Sequence, residues 1–449
     1  MKRGGAWRYL WTAPDIRRKL LITLAILILY RFVSHIPVPG VNRDLISSLM
    51  NQGSAASTLV GLIDLISGGT LLQFSVLAMG VYPYITAQII LQLLMPLIPS
   101  LQKRMEEDPR EGRKFMERWT YYLAVPMAIL SAIGQINIFS TLAGGSVIEN
   151  FGFGPGQFLR SATIIISMTA GTMFAIWLGE LISEYGIRNQ GLSLIIFAGI
   201  IARIPGNFAS LLQNQAAGWI SIAAIVVVMI LTIFVIVYVQ QGRRNVPVMY
   251  PGRRMGNRMS MPVKGTLPLM VNMSGMIPLI FAQAILQLPS ILASFFANST
   301  TPWVASLSAT LTNIFNVQGP GYWVMYFIMV VGFAFFYTDV LFAQQNYGEN
   351  LKRVGAQIPG VNRGAPTQRY LTSVLRRITL PGAFFLGFVA ILPFLLTLAM
   401  PFLAASGGQG LFLVSASGLL IMVGTIRETF FNIDAELKLH GYEESLLVR

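Results

Sequence analysis

Ten stretches of the chain are apolar over the thickness of a bilayer core, with polar or glycine-rich breaks between them. They cover residues 20–36, 71–97, 119–141, 158–180, 191–212, 216–239, 267–292, 321–343, 378–400 and 408–427. A spanning helix needs roughly 20 predominantly apolar residues, so the pattern predicts ten transmembrane helices. The run at residues 59–66 differs, because it ends at Ser67-Gly68-Gly69-Thr70 and is too short to cross. It predicts a half-helix that enters the membrane and turns back. Backbone that stops at membrane depth is tolerated only where protein or a water-filled cavity surrounds its unpaired amides and carbonyls. A half-helix therefore points to a cavity.

Charge orients the spans. Short cytoplasmic loops accumulate Lys and Arg while exported loops do not. With the N-terminus inside, 28 of the 32 Lys and Arg fall on cytoplasmic segments, and only Arg31, Arg43, Arg160 and Arg203 fall elsewhere. An odd change in the number of spans would scramble this separation, so both termini are expected in the cytoplasm, and the net charge of +14 reflects orientation. Residues 1–30 could pass for a signal peptide, but further spans follow and no small-residue cleavage site does, so they are read as a retained first helix. Ten spans divide into two groups of five, residues 1–215 and 216–449. Five being odd, a second half built like the first would be inverted relative to it, an arrangement found in channels and transporters.

Composition agrees and narrows the chemistry. The 449 residues are 54% hydrophobic and 11% charged, against about 25% charged in ordinary soluble domains. There is no cysteine, which excludes disulfides, thiolate metal sites and a cysteine nucleophile. His35 and His440 lie far apart on opposite expected faces, and no metal site or cofactor is expected. Ion-coupled carriers keep Asp, Glu or His inside their helices. Here Asp64 falls on the half-helix, Glu180, Glu184 and Asp339 near cytoplasmic helix ends, and the central portions of the ten blocks are essentially uncharged. With no phosphate-binding glycine loop and no His-Glu metal pattern, the chain is not expected to be an enzyme, and energy for transport must come from a partner.

Two cytoplasmic segments stand out. Residues 240–266 carry Arg243, Arg244, Arg253, Arg254 and Arg258, and residues 344–377, which include Arg363, are longer than a connection requires. Their charge can serve orientation alone or dock an acidic protein surface or ribosomal RNA.

Seven strings, in order along the spans, resemble the SecY family of protein-conducting channels. They are Ile36-Pro37-Val38-Pro39-Gly40, Ser67-Gly68-Gly69, Ala78-Met79-Gly80-Val81-Tyr82-Pro83-Tyr84-Ile85, Gly171-Thr172-Met173, Trp177-Leu178-Gly179-Glu180, Phe197-Ala198-Gly199-Ile200 and Asn272-Met273-Ser274-Gly275-Met276-Ile277-Pro278. The resemblance implies an all-α integral membrane protein of the bacterial cytoplasmic membrane, with ten transmembrane helices in two inverted halves and a re-entrant plug half-helix. It implies passage of unfolded polypeptide across the membrane and sideways release of transmembrane segments into lipid. The implied partners are SecE and SecG in the membrane, with the SecA ATPase or a translating ribosome docking outside it.

Carried over position by position, the resemblance places a plug near residues 59–74, including Leu62, Ile63, Asp64, Leu65, Ile66, Ser67, Gly68 and Gly69. It implies a pore ring of Val81 and Ile85 on the second span, Leu192 and Ile196 on the fifth, Ile280 on the seventh and Ile421 on the tenth. Pairs at i and i+4 share a helix face, and an aliphatic ring dewets when empty and yields around a passing chain. A lateral gate between spans two and three and spans seven and eight would use Gly80, Pro83, Thr86, Asn272, Gly275 and Pro278, and the arginines named above would dock SecA or the ribosome.

Three departures from the family pattern bear on these residues. Gly360-Val361-Asn362-Arg363-Gly364 carries its arginine one place late, Met270 follows Leu267-Pro268-Leu269 where many relatives have lysine, and Gly186 to Gly191 holds one residue more than usual. Either Arg254 or Arg258 is the equivalent docking residue at the loop tip. The alternative class is a secondary solute carrier with inverted repeats.

Overall fold

The computed structural model describes residues 13–42, 74–94, 98, 109–143, 147–148, 151–152, 154, 156–213, 219–251, 254–255, 258–259, 263–296, 302–315, 319–399 and 416–439. The plug residues Leu62 to Gly69 and the docking residue Arg253 lie outside them.

Each of the ten apolar blocks carries a helix. In chain order these are α1 (Pro14–Val33), α2 (Tyr82–Leu94), α3 (Pro109–Ala143), α4 (Phe158–Tyr185), α5 (Gly191–Gln213), α6 (Trp219–Gln241), α7 (Ile277–Phe296), α9 (Pro320–Gln345), α11 (Ala365–Ala399) and α12 (Ala416–Leu439). Two shorter helices, α8 (Pro302–Ile314) and α10 (Tyr347–Arg353), intervene. Among the described residues, five helical stretches are long and apolar enough to cross a membrane, within α3, α4, α6, across α9–α10 and within α11. Prolines inside α3, α5, α7 and α11 are tolerated because neighbouring helices satisfy the freed backbone groups. Helix α6 turns Val227, Ile230, Leu231, Phe234 and Tyr238 outward, as a lipid-facing wall requires.

The structure corrects the sequence reading at four places. Among its described residues, block 71–97 is helical from Tyr82 to Leu94 and not before. Residues 74–80 form successive tight turns, with Ala78 N bonded to Ser75 O and Gly80 N to Leu77 O, both at 2.8 Å. Phe74 and Gly80 take positive φ, which a helix cannot continue through. These turns are buried and tied to the first loop by Val38 N to Phe74 O and Val76 N to Ile36 O, each 2.9 Å. They lie on α4 where Gly171 leaves room, since a Cβ there would sit 2.0 Å from the Val76 carbonyl oxygen.

Second, the expected all-α architecture also contains β structure. Residues 267–270, assigned from their apolarity to the start of the seventh span, instead end strand β4 (Val263–Met270), antiparallel to β1 (Arg243–Tyr250). A smaller ribbon pairs β2 (Arg254–Met255) with β3 (Arg258–Met259). Pro247 and Pro268 fit a two-stranded ribbon, which always has a free edge. Helix α7 starts only at Ile277, after a turn in which Gly275 has φ +64.

Third, the segment 344–377 is largely helical, because α10 occupies its start and α11 begins at Ala365. Fourth, α8 was not foreseen between the seventh and eighth spans.

One large apolar cluster joins buried residues from α1 (Ile16, Tyr30) through α12 (Leu437) and so unites both halves of the sequence. A separate cluster of Val246, Val248, Leu269, Phe342, Leu351, Ile358, Leu371 and Leu375 seats the β1–β4 ribbon on α9, α10 and α11.

Candidate pore, gate and docking platform

The six residues expected to form the ring all belong to the large apolar cluster. Val81, Ile196, Ile280 and Ile421 are buried members of the large cluster, and Ile85 and Leu192 pack against it. They come from the turn before α2 and from α2, α5, α7 and α12, elements of both halves. Val81 accepts a hydrogen bond from Ile85 N at 3.2 Å, which sets those two side chains one turn apart on one face. Leu192 also leans on α4, because a Cβ on Gly179 would lie 2.7 Å from Leu192 Cδ2. Gly191 allows that approach, since a Cβ there would meet the Gly179 carbonyl oxygen at 1.6 Å. Gly171 and Gly179, both in matched strings, are thus sites of close approach between α4 and its neighbours.

Beside the ring, α2 meets α7 and α9 in an aromatic interface. Tyr82, Ile89, Phe281, Ala284 and Tyr337 form a buried cluster. Phe281 stands edge-on to Tyr337 at 5.6 Å and to Phe333 at 6.1 Å. The Tyr82 hydroxyl donates to the Ala284 carbonyl across 3.3 Å. Thr86 turns its hydroxyl back to the Tyr82 carbonyl at 2.9 Å, and Pro83 occupies the first turn of α2.

The other wall begins with a closed polar turn. Asn272 Nδ2 donates to the Gly275 carbonyl at 3.1 Å, and the Ser274 hydroxyl donates to Asn272 Oδ1 at 3.2 Å. Asn272, Ser274 and Pro278 are buried. The turn lets the chain pass from the ribbon into α7 without exposing unpaired backbone. Tyr82, Phe281, Ala284 and Tyr337 were not singled out from sequence, although Tyr82 lies inside a matched string. Their pairing crosses some 200 residues of chain (|i−j| of 202 for Tyr82 and Ala284), and periodicity carries no signal at that separation.

The two basic loops form one body. Met249 and Gln357 exchange backbone hydrogen bonds at 2.8 and 2.9 Å, and a Cβ on Gly355 would lie 3.1 Å from Pro251. Arg243 and Arg244 are exposed at the root of the ribbon, opposite Met270 and Leu269. Arg254 and Arg258 are paired in backbone register with Met259 and Met255. Arg363 is exposed on the turn between Gly360 and Gly364, both at positive φ. Asp339 is partnered by Arg376 through a two-pronged contact of 2.9 and 3.4 Å. Among the described residues no group of three or more His, Asp or Glu could hold a metal ion.

A SecY family model matches residues 75–430. The chain belongs to the SecY family. The Streptomyces coelicolor protein translocase subunit SecY is 37% identical to it over 440 residues, spanning 96% of this chain and 97% of that protein. Among solved structures, one described as a protein conducting channel superposes with a TM-score of 0.63 at 19% identity, covering 96% of this chain and 95% of the other. Another has a TM-score of 0.59 at 18% identity over 96% and 95% of the two chains; it concerns the plug domain of the SecY protein, described as stabilising the closed state of the translocation channel and maintaining a membrane seal.

Proposed function

We propose that this chain is the pore-forming subunit of a protein translocase, which passes unfolded polypeptide across the bacterial cytoplasmic membrane and lets apolar segments leave sideways into lipid. The observation that supports this reading is that Val81, Ile85, Leu192, Ile196, Ile280 and Ile421, from both halves, all belong to one apolar cluster, with Ile85 also packed against the α2–α7 contact. An uncharged aliphatic constriction sheds water when empty, so it resists ions, and offers only weak nonspecific contact to a chain in transit. Parting α2 from α7 opens a path from this constriction to lipid, where an apolar segment gains by burial. Gly80, Pro83 and Thr86 on one wall and Asn272, Gly275 and Pro278 on the other are the gate residues in this reading.

Residues 1–215 and 216–449 act as the two inverted halves, with both termini in the cytoplasm. The segment 59–74 acts as the plug, in line with the seal ascribed to the plug domain of the structural relative. No covalent chemistry is performed and no cofactor is needed. SecE and SecG are the membrane partners. SecA or a ribosome supplies force through the joined basic loops, where Arg243, Arg244, Arg253, Arg254, Arg258 and Arg363 meet acidic groups or RNA phosphates.

The test uses the absence of native cysteine. Ile85→Cys and Ile196→Cys are expected to crosslink a stalled, half-exported chain, while Ile230→Cys, on the outward face of α6, is not. Equal labelling at all three sites would reject the pore assignment.

A further inference from the structure

Between Lys264 and Asp339 the chain carries no Lys, Arg, Asp, Glu or His. That run includes α8 and the connections on both sides of it. In soluble domains about a quarter of residues are charged, so a loop of this kind is unusual for one that lies in water. Helix α7 leads from the β1–β4 ribbon to α8, which places α8 at the end of α7 opposite the basic loops. There α8 packs on α7, and the Ser308 hydroxyl donates to the Ala293 carbonyl at 2.8 Å. Phe315, just beyond α8, packs against the large apolar cluster.

Another face of α8 is apolar and open. Trp303, Leu307 and Ile314 are exposed, and their spacing sets them along one side of the helix. Trp303 is 69% exposed, against 60% for Ile230 on the outward wall of α6. Two exposed hydroxyls share that side, and both are closed on the helix itself. Ser306 Oγ donates to the Trp303 carbonyl at 2.9 Å, and Thr310 Oγ1 donates to the Ser306 carbonyl at 2.8 Å. The exposed side of α4 uses the same device beside Ile166, with Thr163 Oγ1 bonded to the Leu159 carbonyl and Ser167 Oγ to the Thr163 carbonyl. A hydroxyl already bonded to its own helix enters hydrocarbon without an unpaired donor. The open apolar surface resumes after α8 with Val324 and Ile328, exposed in the first turns of α9.

We propose that α8 is embedded in the lipid leaflet opposite the basic loops, with Trp303, Leu307 and Ile314 turned into the lipid. This rests on the membrane reading above. In water the same face would leave a contiguous apolar patch uncovered, and it offers a docking protein no charge by which to be oriented. Tryptophan suits the edge of a leaflet, because its ring is amphipathic. Since Ser308 ties α8 to Ala293, lipid that holds α8 also holds the far end of α7.

The test places single spin-labelled cysteines in the full-length chain, which has no cysteine of its own, reconstituted in vesicles of phosphatidylethanolamine and phosphatidylglycerol. At Trp303→Cys, Leu307→Cys and Ile314→Cys, collision with oxygen is expected to exceed collision with a water-soluble nickel complex several-fold, as at Ile230→Cys on α6. Arg363→Cys, exposed on its turn, is expected to show the reverse. Nickel collision on α8 as high as at Arg363→Cys overturns the proposal in favour of water. Low collision with both reagents overturns it in favour of protein cover. A nickel-accessible label at Ile230→Cys would instead overturn the membrane reading, so the two failures are told apart by the α6 site.

Discussion

The Tyr82 hydroxyl and the Ala284 carbonyl, 3.3 Å apart, form a polar tie across an otherwise apolar, largely aromatic boundary between α2 and α7. Alongside it, Phe281, Ile89 and Tyr337 supply contact area without directional bonds. Among the described residues this boundary holds mostly by weak contacts, which suits an interface that opens repeatedly in the proposed function.

Tyr82→Phe removes the donor and keeps the ring. The loss is about 1 kcal/mol, which favours the parted gate by about fivefold. A rise of that order in resting ion leak through reconstituted vesicles is the expected outcome. An unchanged leak would show that the hydroxyl does not hold the gate.

Ile280→Asp places a charge in the constriction. A hydrated carboxylate removes the dewetted state on which the barrier to ions depends. Ion conductance of the resting channel is expected to increase, read in planar bilayers, whereas Ile280→Leu keeps it at the starting level.

Gly171→Val drives a side chain into the Val76 carbonyl. Overpacking of this kind costs about 1–3 kcal/mol, so the Tm in detergent falls by a few degrees. Gly332→Ala is the control, because a Cβ there meets nothing within 4 Å. Equal behaviour of the two variants would mean the turn stack gives way freely.

Gln357→Pro deletes the amide that donates to the Met249 carbonyl while leaving every arginine in place. The ribbon then loses its tie to the loop that carries Arg363. Expected is a several-fold drop in channel-stimulated ATPase of the motor with unchanged accumulation in the membrane. Arg363→Glu is expected to give the same pattern. If Arg363→Glu instead fails to accumulate, the charge serves orientation rather than docking.

The amount of the fold legible in the sequence followed from what apolarity encodes. Where a run is long and uncharged, as in α4, α6 and α9, the helix lies where the pattern put it. Apolarity failed where buried structure is not helical. Residues 74–80 and 267–270 are apolar and were read as parts of spans, yet the first is a stack of turns and the second the end of a strand. Gly80 and Pro268 were the local signs, since positive φ and a missing amide both interrupt a helical ladder. For the site, the ring positions came through resemblance rather than periodicity, and the structure draws them into one cluster. The Tyr82–Ala284 tie joins residues distant in the chain and had no local trace.

The stretch from Phe74 to Gly80 is held to the first loop through Val38 and Ile36 and to α4 at Gly171, with a longer bond of 3.4 Å from Tyr82 N to the Met79 carbonyl leading into α2. If residues ahead of Phe74 act as the proposed plug, a pull on them loads the first loop and α4 before it loads Tyr82, so the seal could lift with little disturbance of the side door.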